Sequence, residues 1–368
     1  MRNTKMNPKE QQSHNKNNSR TVAVIGAGAF GTALAKILAE KGVDVAIWAY
    51  KAETASDIND RHQNAEFLPD VTLPPNLTAS SDLNAVVDNR DVILLVTPSS
   101  VLIETARRLI SIPSVAEGRP IIACATKGLL RSPSGDGQLL LDGLENYLPG
   151  FYKGNMVYLS GPSHAEEIAQ GKVTALIAAS QNPMHAIIIR ELFSAPTLRV
   201  FSSIDVSGVQ VVAALKNVVA IAFGAIEAYA ERTNNIGDNT ESFLLSGGLN
   251  EIMILARAMG STHIETVTGP AGIGDLDVTC RSKYGRNRRF GRSIVEGNLL
   301  NDFADLDDLM NNVTAKVGYL PEGVFAARTA YLIAKKYNLR TPMFNAIYRV
   351  LNKELDVEIA IQELVFGL

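Results

Sequence analysis

Val22-Ala23-Val24-Ile25-Gly26-Ala27-Gly28-Ala29-Phe30-Gly31-Thr32-Ala33-Leu34-Ala35 passes from an unbroken apolar run through a GxGxxG turn into a helical pattern. Strand, glycine turn and helix in that order open a dinucleotide-binding α/β unit, so a nicotinamide or flavin enzyme is the first expectation. Gly26 permits the tight turn, Gly28 lets backbone approach a pyrophosphate, and Gly31 lets helix and strand pack closely. The pyrophosphate would rest on the free amides of the helix N-terminus, where the helix dipole favours an anion.

Further apolar runs recur with helical patterns between them: Val43 to Trp48, Asp91 to Val96, Pro120 to Ala125, Met156 to Leu159 and Thr174 to Ala179. This alternation predicts a mostly parallel, doubly wound sheet of Rossmann type with helices on both faces. Ligands of such sheets lie beyond the carboxyl ends of the strands, which singles out Thr97-Pro98, Thr126-Lys127-Gly128 and Ser160-Gly161-Pro162-Ser163. From Ser207 onward the pattern is helical: Ser207 to Glu231, Glu241 to Met259, Arg289 to Val295, Pro321 to Tyr337 and Pro342 to Leu351. We therefore expect a cofactor domain over residues 20–205 and an all-α substrate domain over 206–368, with the site between them. Residues 1–19, rich in Asn, Gln, Lys and Ser and lacking an apolar core, read as a disordered tail rather than a secretory signal.

A chain of 368 residues that is 46% hydrophobic has room for two globular cores. A net charge of −3 argues against a nucleic-acid or anionic-membrane partner. The apolar stretch Val206 to Ala230 is long enough for a membrane span, but Gln210, Lys216, Asn217 and Glu227 interrupt it, so a buried helix is expected. Cys124 and Cys280 are far apart in apolar surroundings and read as reduced, buried thiols of a cytoplasmic protein. No His or Cys shows metal-ligand spacing, so no metal is expected, and each histidine, His164 included, reads as structural or exposed. The long C-terminal helices serve equally as core or as a homodimer surface.

Lys216 carries the sharpest chemical signal, because every residue within five positions of it is apolar except Asn217. Such a lysine must snorkel, pair, or lose its proton; desolvation lowers its pKa toward the range useful for proton transfer. Lys127, just past a strand end, would polarise a carbonyl or hold a phosphate. Asp275, in Gly269-Pro270-Ala271-Gly272-Ile273-Gly274-Asp275-Leu276-Asp277, is a candidate partner for Lys216. Arg286, Arg288, Arg289 and Arg292 follow Gly285 at a helix start, and guanidinium forks beside free helical amides make a phosphate site. The plainer reading of a short basic run, a solvated helix face, suits two of the four.

In this order the GAGAFGTALA loop, Ala125-Thr126-Lys127-Gly128, Leu159-Ser160-Gly161-Pro162-Ser163-His164-Ala165-Glu166-Glu167, Ala214-Leu215-Lys216-Asn217, Gly274-Asp275-Leu276 and Arg286-Asn287-Arg288-Arg289-Phe290-Gly291 resemble the glycerol-3-phosphate dehydrogenase family, most closely its bacterial NAD(P)-dependent branch. The resemblance covers about Thr21 to Leu351. It implies NAD(P)H-dependent, reversible reduction of dihydroxyacetone phosphate to sn-glycerol 3-phosphate, which feeds phospholipid synthesis. It assigns Lys216 as acid/base, with Lys127 and Asp275 completing the catalytic site. Gly161, Ser163, Thr279, Gly285, Arg286 and Asn287 join these as substrate contacts. Gly26, Gly28, Ala29, Phe30, Gly31, Tyr50, Lys51, Lys127, Ala165, Arg286, Leu320 and Glu322 fall at cofactor contacts. Ala29 and Gly285 stand where the family commonly has Ser, so two side-chain hydroxyl contacts are missing.

The usual acidic companion of the glycine turn, about twenty positions on, grips the ribose 2′-hydroxyl. The second strand here ends Trp48-Ala49-Tyr50-Lys51 without one. NADPH is therefore expected to be tolerated alongside NADH, with Lys51 or Arg61 available to attract a 2′-phosphate and the preference left open. Two other readings fit the same residues: another β-hydroxy-acid-type reductase, and a nicotinamide-binding sensor without catalysis.

Overall fold

The computed structural model describes residues 20–131 and 137–367; the tail expected over residues 1–19 lies outside them. Eight strands form one sheet: β1 (Val22–Ile25), β2 (Val45–Trp48), β3 (Thr78–Ser80), β4 (Val92–Leu95), β5 (Ile121–Cys124), β6 (Val157–Ser160), β7 (Thr174–Ala179) and β8 (Leu198–Ser203). Their spatial order is β3-β2-β1-β4-β5-β6-β7-β8, so the first six follow the dinucleotide-fold order and the switch point lies between β1 and β4. Every residue of β1, β2, β4, β5 and β6 is buried, as strands covered on both faces must be.

At the switch point the chain leaves β1 through Gly26 at φ +122° and enters α1 (Ala29–Glu40). A Cβ on Gly26 would stand 3.0 Å from the Val96 carbonyl oxygen, and one on Gly31 only 2.1 Å from the Gly26 carbonyl oxygen. Gly28, between them, has no protein atom within 4 Å of its Cβ position, so the backbone there faces open space. Beyond β4, the chain turns at Pro98 into α2 (Ser99–Leu109).

The sheet is mostly parallel, as expected, with one exception: β7 runs antiparallel to β6, while its pairing with β8 is parallel. The connection from β6 to β7 holds a five-residue helix, Ala165–Ala169. In the antiparallel pair β7 begins beside the end of β6, so this connection need not cross back along the sheet. The strands β3 and β8 were not anticipated either.

Past β8 the described residues are helical. The core helix α3 (Val206–Ala230) is capped by Asp205, whose carboxylate accepts the Gly208 amide at 3.1 Å. Its membrane-like stretch is wholly buried inside the protein. Around it pack α4 (Asp238–Ala258), α5 (Asp275–Arg281), α6 (Arg286–Glu296), α7 (Glu322–Lys336) and α8 (Pro342–Leu351). Contact between α3 and α6 is nearly backbone to backbone: a Cβ on Gly224 would stand 1.9 Å from the Arg288 carbonyl oxygen, and one on Gly291 2.0 Å from that of Ile221. Two small residues facing each other thus fix α6, and the arginines at its start, against the helix that carries Lys216. The buried carboxylate of Glu251 accepts the first amides of α8, from Met343 at 2.9 Å and Phe344 at 3.0 Å, filling donors a helix start leaves open.

Candidate active site

Lys216 lies near the middle of α3 and is 4% exposed. It does not snorkel. Its ammonium donates a short hydrogen bond to Asp275 Oδ1 and another, of 2.9 Å, to the Thr279 hydroxyl. Asp275 and Thr279 sit one turn apart on α5, so both reach the same ammonium. Thr279 donates its own hydroxyl proton to the Asp275 carbonyl at 2.5 Å, leaving an oxygen lone pair for Lys216. A π-turn over Pro270–Gly274 leads into α5 and delivers Asp275 at its first position.

The sheet half supplies the second cation. Lys127, at the turn after β5, donates to Asp275 Oδ2 at 3.1 Å and Oδ1 at 3.3 Å, to the Gly161 carbonyl at 3.0 Å and to the Ser163 hydroxyl at 3.1 Å. One carboxylate, 1% exposed, thus holds an ammonium from each half. Lys127 also lies 5.9 Å from the centre of the Phe30 ring, at the opening of α1, which puts the glycine turn beside the cation pair.

Burial and the neighbouring Lys127 charge push the Lys216 pKa down, Asp275 pulls it back, and the balance lies at about 7. Desolvation dominates because the surroundings are apolar. Glu322, the first residue of α7, is raised to about 7, chiefly by burial, against the Ser99 hydrogen bond and the charges of Arg286 and Arg131. His164 is half-buried near both lysines; burial first, then the two ammoniums, lower its pKa, and its ring lies 3.4 Å through Nε2 from the Val278 carbonyl.

The four arginines divide. Arg288 and Arg292 bind Glu227, and Arg292 also binds Glu231 at 2.6 Å and Glu296. They are tied into a partly buried network rather than solvated, as a bland basic face would be. Arg289 lies over the Tyr319 ring at 5.0 Å. Arg286 is exposed in the first turn of α6, with Gly285 as N-cap, and has no ion-pair partner among the described residues. The Asn287 carboxamide donates to Asn217 Oδ1 and accepts the Gly323 amide, both at 2.9 Å. The side chain clamps α6 to α3 and α7, while its backbone amide remains among the free donors of the helix start.

On the cofactor side, Ala29 and Phe30 open α1, Ala165 opens the short helix after the Gly161–Ser163 turn, and Leu320 is half-buried just before Glu322. Tyr50 is 83% exposed beyond β2. Lys51 pairs with Glu66 at 2.5 Å and Arg61 with Asp57 at 3.4 Å; both pairs lie at the surface, so they hold the two cations only weakly. The glycine turn fits a dinucleotide: its middle glycine is open to an incoming pyrophosphate, and its outer two are closed by the protein's own backbone.

Residues 21–186 match the family model described as NAD-dependent glycerol-3-phosphate dehydrogenase N-terminus, and residues 205–362 match the corresponding C-terminus. A Treponema denticola protein named glycerol-3-phosphate dehydrogenase [NAD(P)+] is 47% identical over 94% of this chain and 98% of its own. A Treponema pallidum protein of the same name is also 47% identical, over 94% of this chain and 99% of its own. Among solved structures, glycerol-3-phosphate dehydrogenase from Coxiella burnetii superposes with a TM-score of 0.79 at 32% identity, covering 94% of this chain and 98% of that one. The chain belongs to the NAD-dependent glycerol-3-phosphate dehydrogenase family.

Proposed function

We propose that this chain reversibly reduces dihydroxyacetone phosphate to sn-glycerol 3-phosphate with NADPH or NADH. The observation that carries this reading is the buried Asp275 carboxylate binding Lys216 and Lys127 beside the start of α1. A bound reduced nicotinamide would supply the hydride for C2 of the substrate. Lys216 gives its proton to the oxygen on C2, and a pKa of about 7 makes it competent as acid in one direction and base in the other. Lys127 stabilises negative charge on that oxygen. Asp275 and Thr279 hold Lys216 in place, and Gly161 and Ser163 hold Lys127.

Arg286 and the backbone amides that follow Gly285, including that of Asn287, bind the substrate phosphate and orient the reacting carbon. Gly26, Gly28, Ala29, Phe30, Gly31, Tyr50, Lys51, Ala165, Leu320 and Glu322 bind the cofactor. Residues 20–205 then act as cofactor domain and 206–368 as substrate domain, in a cytoplasmic enzyme whose product supplies glycerophospholipid synthesis. With no carboxylate in Trp48-Ala49-Tyr50-Lys51 to repel a 2′-phosphate, both cofactors are accepted.

Loss of reduced-nicotinamide absorbance, followed with dihydroxyacetone phosphate and with dihydroxyacetone, tests the reading. Turnover with both cofactors and a strong preference for the phosphorylated substrate are expected. Equal activity on the two substrates would move the chain to another reductase class, and absence of turnover would make it a sensor.

A further inference from the structure

The Thr97-Pro98 turn beyond β4 delivers Ser99 to the interface between the sheet and the helices. Its hydroxyl lies 3.0 Å from Glu322 Oε1 and 3.1 Å from Oε2, straddling the carboxylate of a residue 223 positions away. Ser99 and Glu322 are each 8% exposed. Gly128 closes the opposite side: at φ +118°, a Cβ there would stand 2.6 Å from Glu322 Oε2. Glu322 is thus held between the turn after β4 and the turn after β5, where open α/β sheets bind their ligands.

A carboxylate offers about four acceptor sites, and the Ser99 hydroxyl is the one side-chain donor to Glu322 among the described residues. Arg286 and Arg131 favour its ionised form at longer range, Tyr158 is the further titratable neighbour, and burial opposes ionisation. We propose that Ser99 is a positioning residue for cofactor binding: its hydroxyl favours the ionised carboxylate of Glu322, whose remaining acceptor sites then receive a hydroxyl or amide donor of the dinucleotide. This rests on the reading of Glu322 as a cofactor contact. Because ionised Glu322 is the accepting form, cofactor affinity rises with pH through the raised Glu322 pKa of about 7. Removing Ser99 removes a group that lowers that pKa, so the midpoint moves upward.

The test is the dissociation constant of NADPH against pH, by fluorescence, for the full chain and for Ser99→Ala, Glu322→Gln and the double variant, with a thermal melt of each. Ser99→Ala should weaken binding about fivefold at neutral pH, the effect of an upward move of roughly one unit in the Glu322 midpoint on its ionised fraction. That deficit should close well above the Glu322 midpoint. In the Glu322→Gln background, Ser99→Ala should have no further effect. A deficit of the same size at every pH, or none at all, overturns the role of Ser99 while Glu322→Gln still weakens binding. If Glu322→Gln binds NADPH as tightly as the parent, the reading of Glu322 itself falls.

Discussion

The glycine turn and the lysine cluster lie side by side but are built in opposite ways. From Gly26 to Gly31 the turn is contiguous and works through backbone: one glycine at positive φ, one open to solvent, one pressed against a carbonyl. The cluster works through side chains, with Lys216 and Lys127 lying 59 and 148 residues from the Asp275 they share. On the proposed function, local backbone geometry serves the cofactor, whereas the proton falls to a buried charge balance that only the folded chain assembles.

The sharpest way to break that division is Lys216→Met, which fills the buried site without a proton. Turnover should fall by at least about a hundredfold, the lower range for loss of a general acid, while NADPH binding measured by fluorescence stays near the parent value. Near-normal turnover would remove Lys216 from the chemistry. Two alanine substitutions probe the other side. Gly31→Ala must displace the Gly26 carbonyl and should destabilise the fold by roughly 1–3 kcal/mol, as overpacking does. Gly28→Ala meets no protein atom, so its melting temperature should match the parent while NADPH affinity drops. Equal melting of the two variants would show that the turn is not divided as described. Smaller again is Arg286→Ala: the apparent affinity for dihydroxyacetone phosphate should weaken by about tenfold, one charged hydrogen bond, with less change in kcat. Unchanged affinity would return Arg286 to the solvated face.

What could be read before folding follows the same division. The turn was legible because its function is written in consecutive residues, and α3 because its apolar run exceeds any plausible surface helix. Lys216 stood out as a cation in that run, and Asp275 could be offered as its partner. Glu66 was not legible, since its approach to Lys51 depends on the loop after the helix Ala52–Arg61. The Thr97-Pro98 turn stands out in the sequence but Ser99 does not, because serine at a helix start has an ordinary local use. For Asn287 the resemblance implies a substrate contact, whereas the inward turn of its carboxamide depends on the packing of α6 on α3, which no local pattern shows. The strand β8 shows the alternation Leu198 buried, Arg199 exposed, Val200 buried, Phe201 exposed. That period was present in the sequence but too short and mixed to stand out; β3, three residues long, owes its place to pairing with β2.

The balance at Lys216 is tested most directly by the pH dependence of kcat/KM in both directions. Reduction needs the protonated ammonium and oxidation the neutral amine. With the pKa lowered to about 7, kcat/KM for reduction should fall as pH rises through that value, and kcat/KM for oxidation should rise through the same value. Profiles that are flat across this range, or that bend only near the ordinary lysine pKa, would contradict the account.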